Sequence, residues 1–84
     1  GDMNTPPPGV RTLDLHGRSV FQARVALEAA LRRANGCYRI RVIHGHTGGT
    51  ALRALVRGEL RHDARVLRVV AIDEGTSDLV LREF

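Results

Sequence analysis

The spacing of hydrophobic positions switches between strand and helix periods along most of the chain. Thr12 to His16 alternates, with Leu13 and Leu15 on one side and Thr12, Asp14 and His16 on the other. That is the pattern of a short half-buried strand, which Gly17 ends. Ser19 to Asn35 predicts a helix: Val20, Ala23, Leu27, Ala30, Leu31 and Ala34 form one apolar stripe, Ser19 and Gln22 fit a capping box, and Asn35-Gly36 supplies a stop. Glu28 stands four residues before Arg32, the spacing of an exposed helical ion pair worth about 0.3–0.5 kcal/mol. Tyr38 to Ile43 predicts a second strand, with Tyr38, Ile40 and Val42 on one face and Arg39, Arg41 and Ile43 on the other. Two arginines on one face mark it as meeting solvent or a ligand.

A glycine-bearing loop, Gly45 to Thr50, leads into a second helix expected over about Ala51 to Asp63, with Leu52, Leu55, Val56 and Leu60 buried. Gly58 weakens that helix by about 1 kcal/mol relative to alanine. Val66 to Ile72 reads as a third strand, Asp73 to Ser77 as a turn around Glu74-Gly75, and Asp78 to Glu83 as the last strand. The order βαβαββ defines an α/β two-layer sandwich, a four-stranded mixed sheet with two helices. A strand–helix–strand unit makes the first two strands parallel, with a right-handed crossover.

Composition adds limits. At 84 residues the chain is one small domain, read as residues 11–84 after a Pro-rich tail at 1–10, with Gly1-Asp2 as a tag remnant. Pro6, Pro7 and Pro8 exclude a helix there. The sequence has no apolar run long enough for a membrane span and no basic, apolar leader, so a cytoplasmic protein is the expectation. Cys37 is the single cysteine, which excludes an intramolecular disulfide and a cysteine-based zinc site, and it reads as core. The formal net charge is +4, and all 13 basic residues are arginine, suited to a polyanion. Arg53, Arg57 and Arg61 recur every four residues. Such like charges destabilise an isolated helix by about 0.2–0.5 kcal/mol per pair, which a polyanion along the stripe would offset.

Two segments carry candidate chemistry: Leu13-Asp14-Leu15-His16-Gly17 and His44-Gly45-His46-Thr47-Gly48-Gly49-Thr50. Ligands of open α/β sheets collect beyond the carboxyl ends of parallel strands, where both His16 and His44 fall. Asp14, two residues from His16, can fix that imidazole's tautomer. Phosphodiester cleavage needs a base, an acid and stabilisation of the charged phosphorane. His16 and His44 are candidates for the proton transfers. The loop amides over Gly45, His46, Gly48, Gly49 and Thr50, with Arg53, are candidates for the oxyanion, and Arg57 and Arg61 for the phosphate backbone. His46 either lines the site or is solvated, and His62 reads as a favourable charge at a helix end. No dense carboxylate cluster supports a two-metal site, and no residue set is assigned to a metal. Should Mg²⁺ or Mn²⁺ be required, Asp14 and the histidines would be its ligands.

Leu13-Asp14-Leu15-His16-Gly17 resembles the L-D-L-H-G signature that opens Smr (small MutS-related) domains. His44-Gly45, the glycines after it and Leu52-Arg53 resemble the family's second signature, H-G-x-G followed by L-R. The resemblance covers about residues 11 to 84. It departs from the family pattern where the next glycine would fall at Thr47, and Leu52-Arg53 comes one residue late. It implies a two-layer sandwich similar to the C-terminal domain of bacterial translation initiation factor three. It also implies a nicking endonuclease acting on DNA or RNA, with Asp14, His16, His44, Gly45, Gly48 and Arg53 in the site. The rival reading is a non-catalytic module that binds nucleic acid or the ribosome. No ATPase motif is present, so mismatch repair does not follow from the family name.

Overall fold

The structure, a computed structural model, describes residues 9–46 and 50–83. The tail residues 1–8 and the loop residues Thr47, Gly48 and Gly49 lie outside the described residues. The expected mixed sheet and two helical runs are present. The strands are β1 (Val10–Asp14), β2 (Arg39–Ile43), β3 (Arg68–Asp73) and β4 (Thr76–Val80), in spatial order β1-β2-β4-β3. β1 and β2 pair in parallel; β2 with β4 and β3 with β4 pair antiparallel. Val10 pairs with Arg39, so the sheet begins inside the segment that the sequence reads as tail.

Helix α1 spans Val20–Arg32 and starts with the predicted capping box: Gln22 N donates to Ser19 Oγ and Ser19 N to Gln22 Oε1, each at 3.1 Å. Ala23, Leu27 and Leu31 of α1 are buried against Ile40, Val42 and Leu79 of the sheet, together with Leu15, Cys37, Leu55, Val56 and Val66. Cys37 is core, as expected. The second helical run is not a uniform α-helix. It opens as an α turn, Ala51–Ala54, widens to a π-helical segment, Leu55–Glu59, and closes as a 3₁₀ turn, Leu60–His62. A π turn holds more residues per revolution, so three consecutive side chains can engage the sheet. Leu55 and Val56 enter the core and Arg57 reaches β4. Gly58, without a side chain to pack, tolerates the widening.

Three further expectations are corrected. Glu28 does not pair with Arg32; its carboxylate accepts from both terminal nitrogens of Arg65, at 2.6 and 3.1 Å. With Arg24 on Glu59, this ties α1 to the second helix by exposed ion pairs, each worth little on its own. The last strand begins at Thr76, not Asp78, because Ser77 and Asp78 find distant partners that make a polar pair tolerable in a central strand. The face of Arg39 and Arg41 meets solvent only in part, because both guanidiniums are tied to a buried carboxylate. Asp78, fully buried, accepts two hydrogen bonds from Arg41 at 2.9 Å and one from Arg39 at 3.0 Å.

Removing one partner of a buried pair costs about 3–5 kcal/mol. Arg41 is partly exposed and can rehydrate, so Asp78→Asn is expected to lower stability by about 2–3 kcal/mol, at or below the bottom of that range. The shift in urea midpoint at unchanged m-value measures it.

Candidate active site

The parallel register pairs Asp14 with Ile43, so the segments that follow β1 and β2 leave the sheet side by side. Leu15 N donates to Ile43 O at 2.7 Å, and Leu15 is fully buried, which anchors the turn carrying His16. Gly17 and Gly45 both take positive φ, +79°, a conformation that costs an L-residue about 1–2 kcal/mol. At Gly45 a second constraint applies: a Cβ there would lie 3.2 Å from the Cβ of His16. The two sequence motifs therefore meet in space, with Gly45 packed on His16.

His16 and Asp14 form an exposed dyad. His16 Nδ1 lies 2.5 Å from Asp14 Oδ1, and the His16 backbone N–H donates to the same oxygen at 3.1 Å. The side chains are 67% and 51% exposed. Hydrogen bonding from His16 holds the Asp14 carboxyl below its ordinary value, and the nearby Arg18 guanidinium adds to this. Arg18 escaped the sequence reading because nothing in its own spacing separates it from any other loop arginine. With Nδ1 engaged by the carboxylate, the Nε2 edge of His16 points away from the dyad.

His44 has a different environment. It is only 3% exposed, with Nδ1 3.0 Å from Gly45 O and Nε2 2.9 Å from Ser77 Oγ. A carbonyl can only accept, so Nδ1 carries the proton and Nε2 accepts from the Ser77 hydroxyl. Ser77 Oγ in turn accepts from Arg57 Nε at 2.7 Å. Arg57 Nη2 also donates to the carbonyls of Asp73 and Thr76. Burial, then the charges of Arg57 and Arg53, push His44 below the ordinary histidine value, against an upward pull from its bond to Gly45. Both ring nitrogens are thus occupied within the protein. The amides of His44 and Gly45 are occupied too, donating to Gly75 O at 2.9 and 3.0 Å. The sequence pointed to neither Ser77 nor Gly75, since their partners lie more than 15 residues away along the chain.

The remaining candidates separate. Arg53, half-buried on the first turn of the second helix, makes no hydrogen bond to any described residue. Thr50 precedes that turn and is exposed, without a side-chain cap. His46 is exposed, its ring edge against Gly75, where a Cβ would lie 3.1 Å from His46 Cδ2. Arg57 is turned inward, as described. Arg61 sits at the far end of the helical run, where Nε donates to His62 Nε2 at 3.3 Å. Gly48 and Gly49 fall outside the described residues. Among the described residues no group of three or more His, Cys, Asp or Glu side chains is placed to hold a metal ion, and no helix is long and apolar enough to cross a membrane.

A two-layer α/β domain with a histidine turn after each of its two parallel strands is the architecture that the two motifs implied. The chain belongs to the Smr domain family, whose profile matches residues 13–77. Among solved structures it is similar to the Smr domain of Thermus thermophilus MutS2, with 32% identity and a TM-score of 0.76, covering 87% of this chain and 99% of that one. No curated protein matches the chain.

The state of His44 predicts a pH dependence of stability. Its folded value is depressed, so as pH falls below the ordinary histidine value of about 6.5 the unfolded chain takes up a proton that the native state refuses. Stability therefore drops as pH falls below about 6.5. Asp14, depressed from 3.8, loses its contribution only at lower pH. Urea midpoints at pH 7.5 and 5.5 should show a smaller loss for His44→Gln than for the wild-type chain.

Proposed function

We propose that this domain is a nucleic-acid-binding endonuclease, a phosphodiester hydrolase of DNA or RNA, in which the Asp14–His16 dyad is the proton-transferring unit. The observation that carries this reading is an exposed imidazole held at 2.5 Å by a carboxylate, beside the turn at Gly45. Asp14 accepts from Nδ1–H and fixes the tautomer in which Nε2 bears the lone pair. Nε2 then takes the proton from the attacking hydroxyl, whether water or a ribose 2′-OH. Arg53 and Arg18 supply positive charge for the non-bridging oxygens of the phosphorane. Gly45 keeps the wall next to His16 free of a side chain, so a phosphate can approach.

His44 supports the site without taking part in proton transfer. A buried imidazole with both nitrogens engaged offers substrate neither a base nor an acid. Of the two strand-end histidines only His16 is accessible, and the proton for the leaving oxygen comes from solvent. Any divalent cation here would draw only two donors from the dyad and complete its shell with water and phosphate oxygens.

With labelled plasmid, single-stranded DNA and structured RNA as substrates, His16→Ala should lower the cleavage rate about 10²–10⁴-fold while binding persists. Asp14→Asn should lower rate more than affinity. The rate should rise with pH to a plateau along a single limb, whereas two histidines sharing the transfers would give a bell. A His16→Ala protein as active as wild type would overturn the assignment. Parallel reactions with Mg²⁺, Mn²⁺ or chelator separate direct proton transfer from a metal-held dyad.

A further inference from the structure

A cavity of about 510 Å³ lies away from the dyad, between the end of the second helical run and edge strand β3. Arg57, Arg61, His62 and Arg68 line it over a floor of Leu67, Val69 and Ala71. Its lining contains no carboxylate. The cleft between the two helices is the reverse case: Glu28, Glu59 and Asp63 line it, and each is ion-paired with Arg24 or Arg65. Among the described residues no carboxylate lies within ion-pair distance of Arg53, Arg57 or Arg61, while Arg68 is paired with Glu83. The β3 groove therefore carries uncompensated positive charge over an apolar floor that the helices leave bare, with Leu67 56% exposed.

The groove is also continuous with the candidate site. Arg57 lines it and, through Asp73 O, Thr76 O and Ser77, holds the β3–β4 turn on which the His44–Gly45 loop rests. Resting on the proposed nuclease reading, we infer that the β3 groove is a second phosphate-binding stretch of the same nucleic-acid track. In it Arg61 and His62 hold the backbone downstream of the scissile phosphate. β1 and β3 lie three strand spacings apart, about 14 Å, and Ala71 to Leu67 runs a further 13 Å or so along β3. At about 3.4 Å per stacked nucleotide, about four nucleotides span the distance from the dyad to the near end of the groove. A charged, partly apolar groove on a strand edge could also take an acidic extended peptide. Arg57, which joins site and groove through the β3–β4 turn, favours nucleic acid.

The test compares wild type with Arg61→Gln/His62→Gln, both exposed positions, with thermal melting as the check on folding. Fluorescence anisotropy is read with three-nucleotide and twenty-nucleotide strands, across a salt series. The expected result is a loss of about tenfold in affinity for the long strand and little change for the short one. The slope of log K against log salt should fall by about one. Equal affinity of variant and wild type for the long strand would overturn the groove and leave the nuclease reading intact. Failure of the wild-type protein to bind any strand would overturn that reading and the groove with it. Binding of a poly-glutamate peptide that the double variant loses, with long-strand affinity unchanged, would assign the groove to a protein partner and overturn the proposal.

Discussion

The site depends on a buried chain of hydrogen bonds running from Gly45 O through the His44 ring and the Ser77 hydroxyl to the Arg57 guanidinium. It joins the end of β2, the start of β4 and the second helical run at one point. Both His44 nitrogens and the Ser77 hydroxyl have partners in it, which matters because a buried group left unpaired costs about 1–3 kcal/mol. The chain works only with His44 neutral, since the ring needs one donating and one accepting nitrogen. Two nearby arginines and burial keep it so. The geometry of the Gly45 turn, and with it the wall beside His16, follows from this arrangement.

Charge is distributed to match. Arg39 and Arg41 are tied to Asp78 on the sheet face away from the helices, and Arg24 and Arg65 to acids between the helices. Arg53, Arg57 and Arg61 on the second helical run form no ion pair with a described residue, and Arg11, Arg18, Arg32, Arg33 and Arg82, likewise without one, are spread over the rest of the domain. The net charge of +4 thus understates the local field, because pairing elsewhere removes the acids that would dilute it. The π-helical widening contributes, since it turns Arg57 toward the sheet and lets one guanidinium serve both the buried chain and the groove wall.

Periodicity made the architecture legible: four strands, two helical runs, a parallel first pair and the Ser19 cap all follow from local spacing. Boundaries went astray where a local pattern competes with a distant partner. Ser77 looks like a turn residue, and only its distant partners His44 and Arg57 make it a strand residue. The Arg53, Arg57, Arg61 stripe was legible as a charge series, but nothing local shows that its middle member turns inward to Ser77.

The two histidines show most sharply where local reading stops. His16-Gly17 and His44-Gly45 are the same dipeptide, each follows a parallel strand, and each glycine sits at φ +79°. Sequence separates them only by Asp14, two residues before His16, and gives no sign that His44 is enclosed. The difference comes from sheet order. β1 is an edge strand, so beyond its end His16 has a neighbour on one side only, the β2 turn. β2 lies between β1 and β4, so His44 also meets Ser77 and the β3–β4 turn, and is enclosed. An imidazole at the edge keeps one nitrogen for an outside molecule, provided a neighbour such as Asp14 holds the other. An imidazole one strand further in must satisfy both nitrogens from the protein or remain unpaired. The difference between an exposed histidine with one ring edge free and a buried histidine with both nitrogens engaged is therefore set largely by topology, a property of the whole sheet.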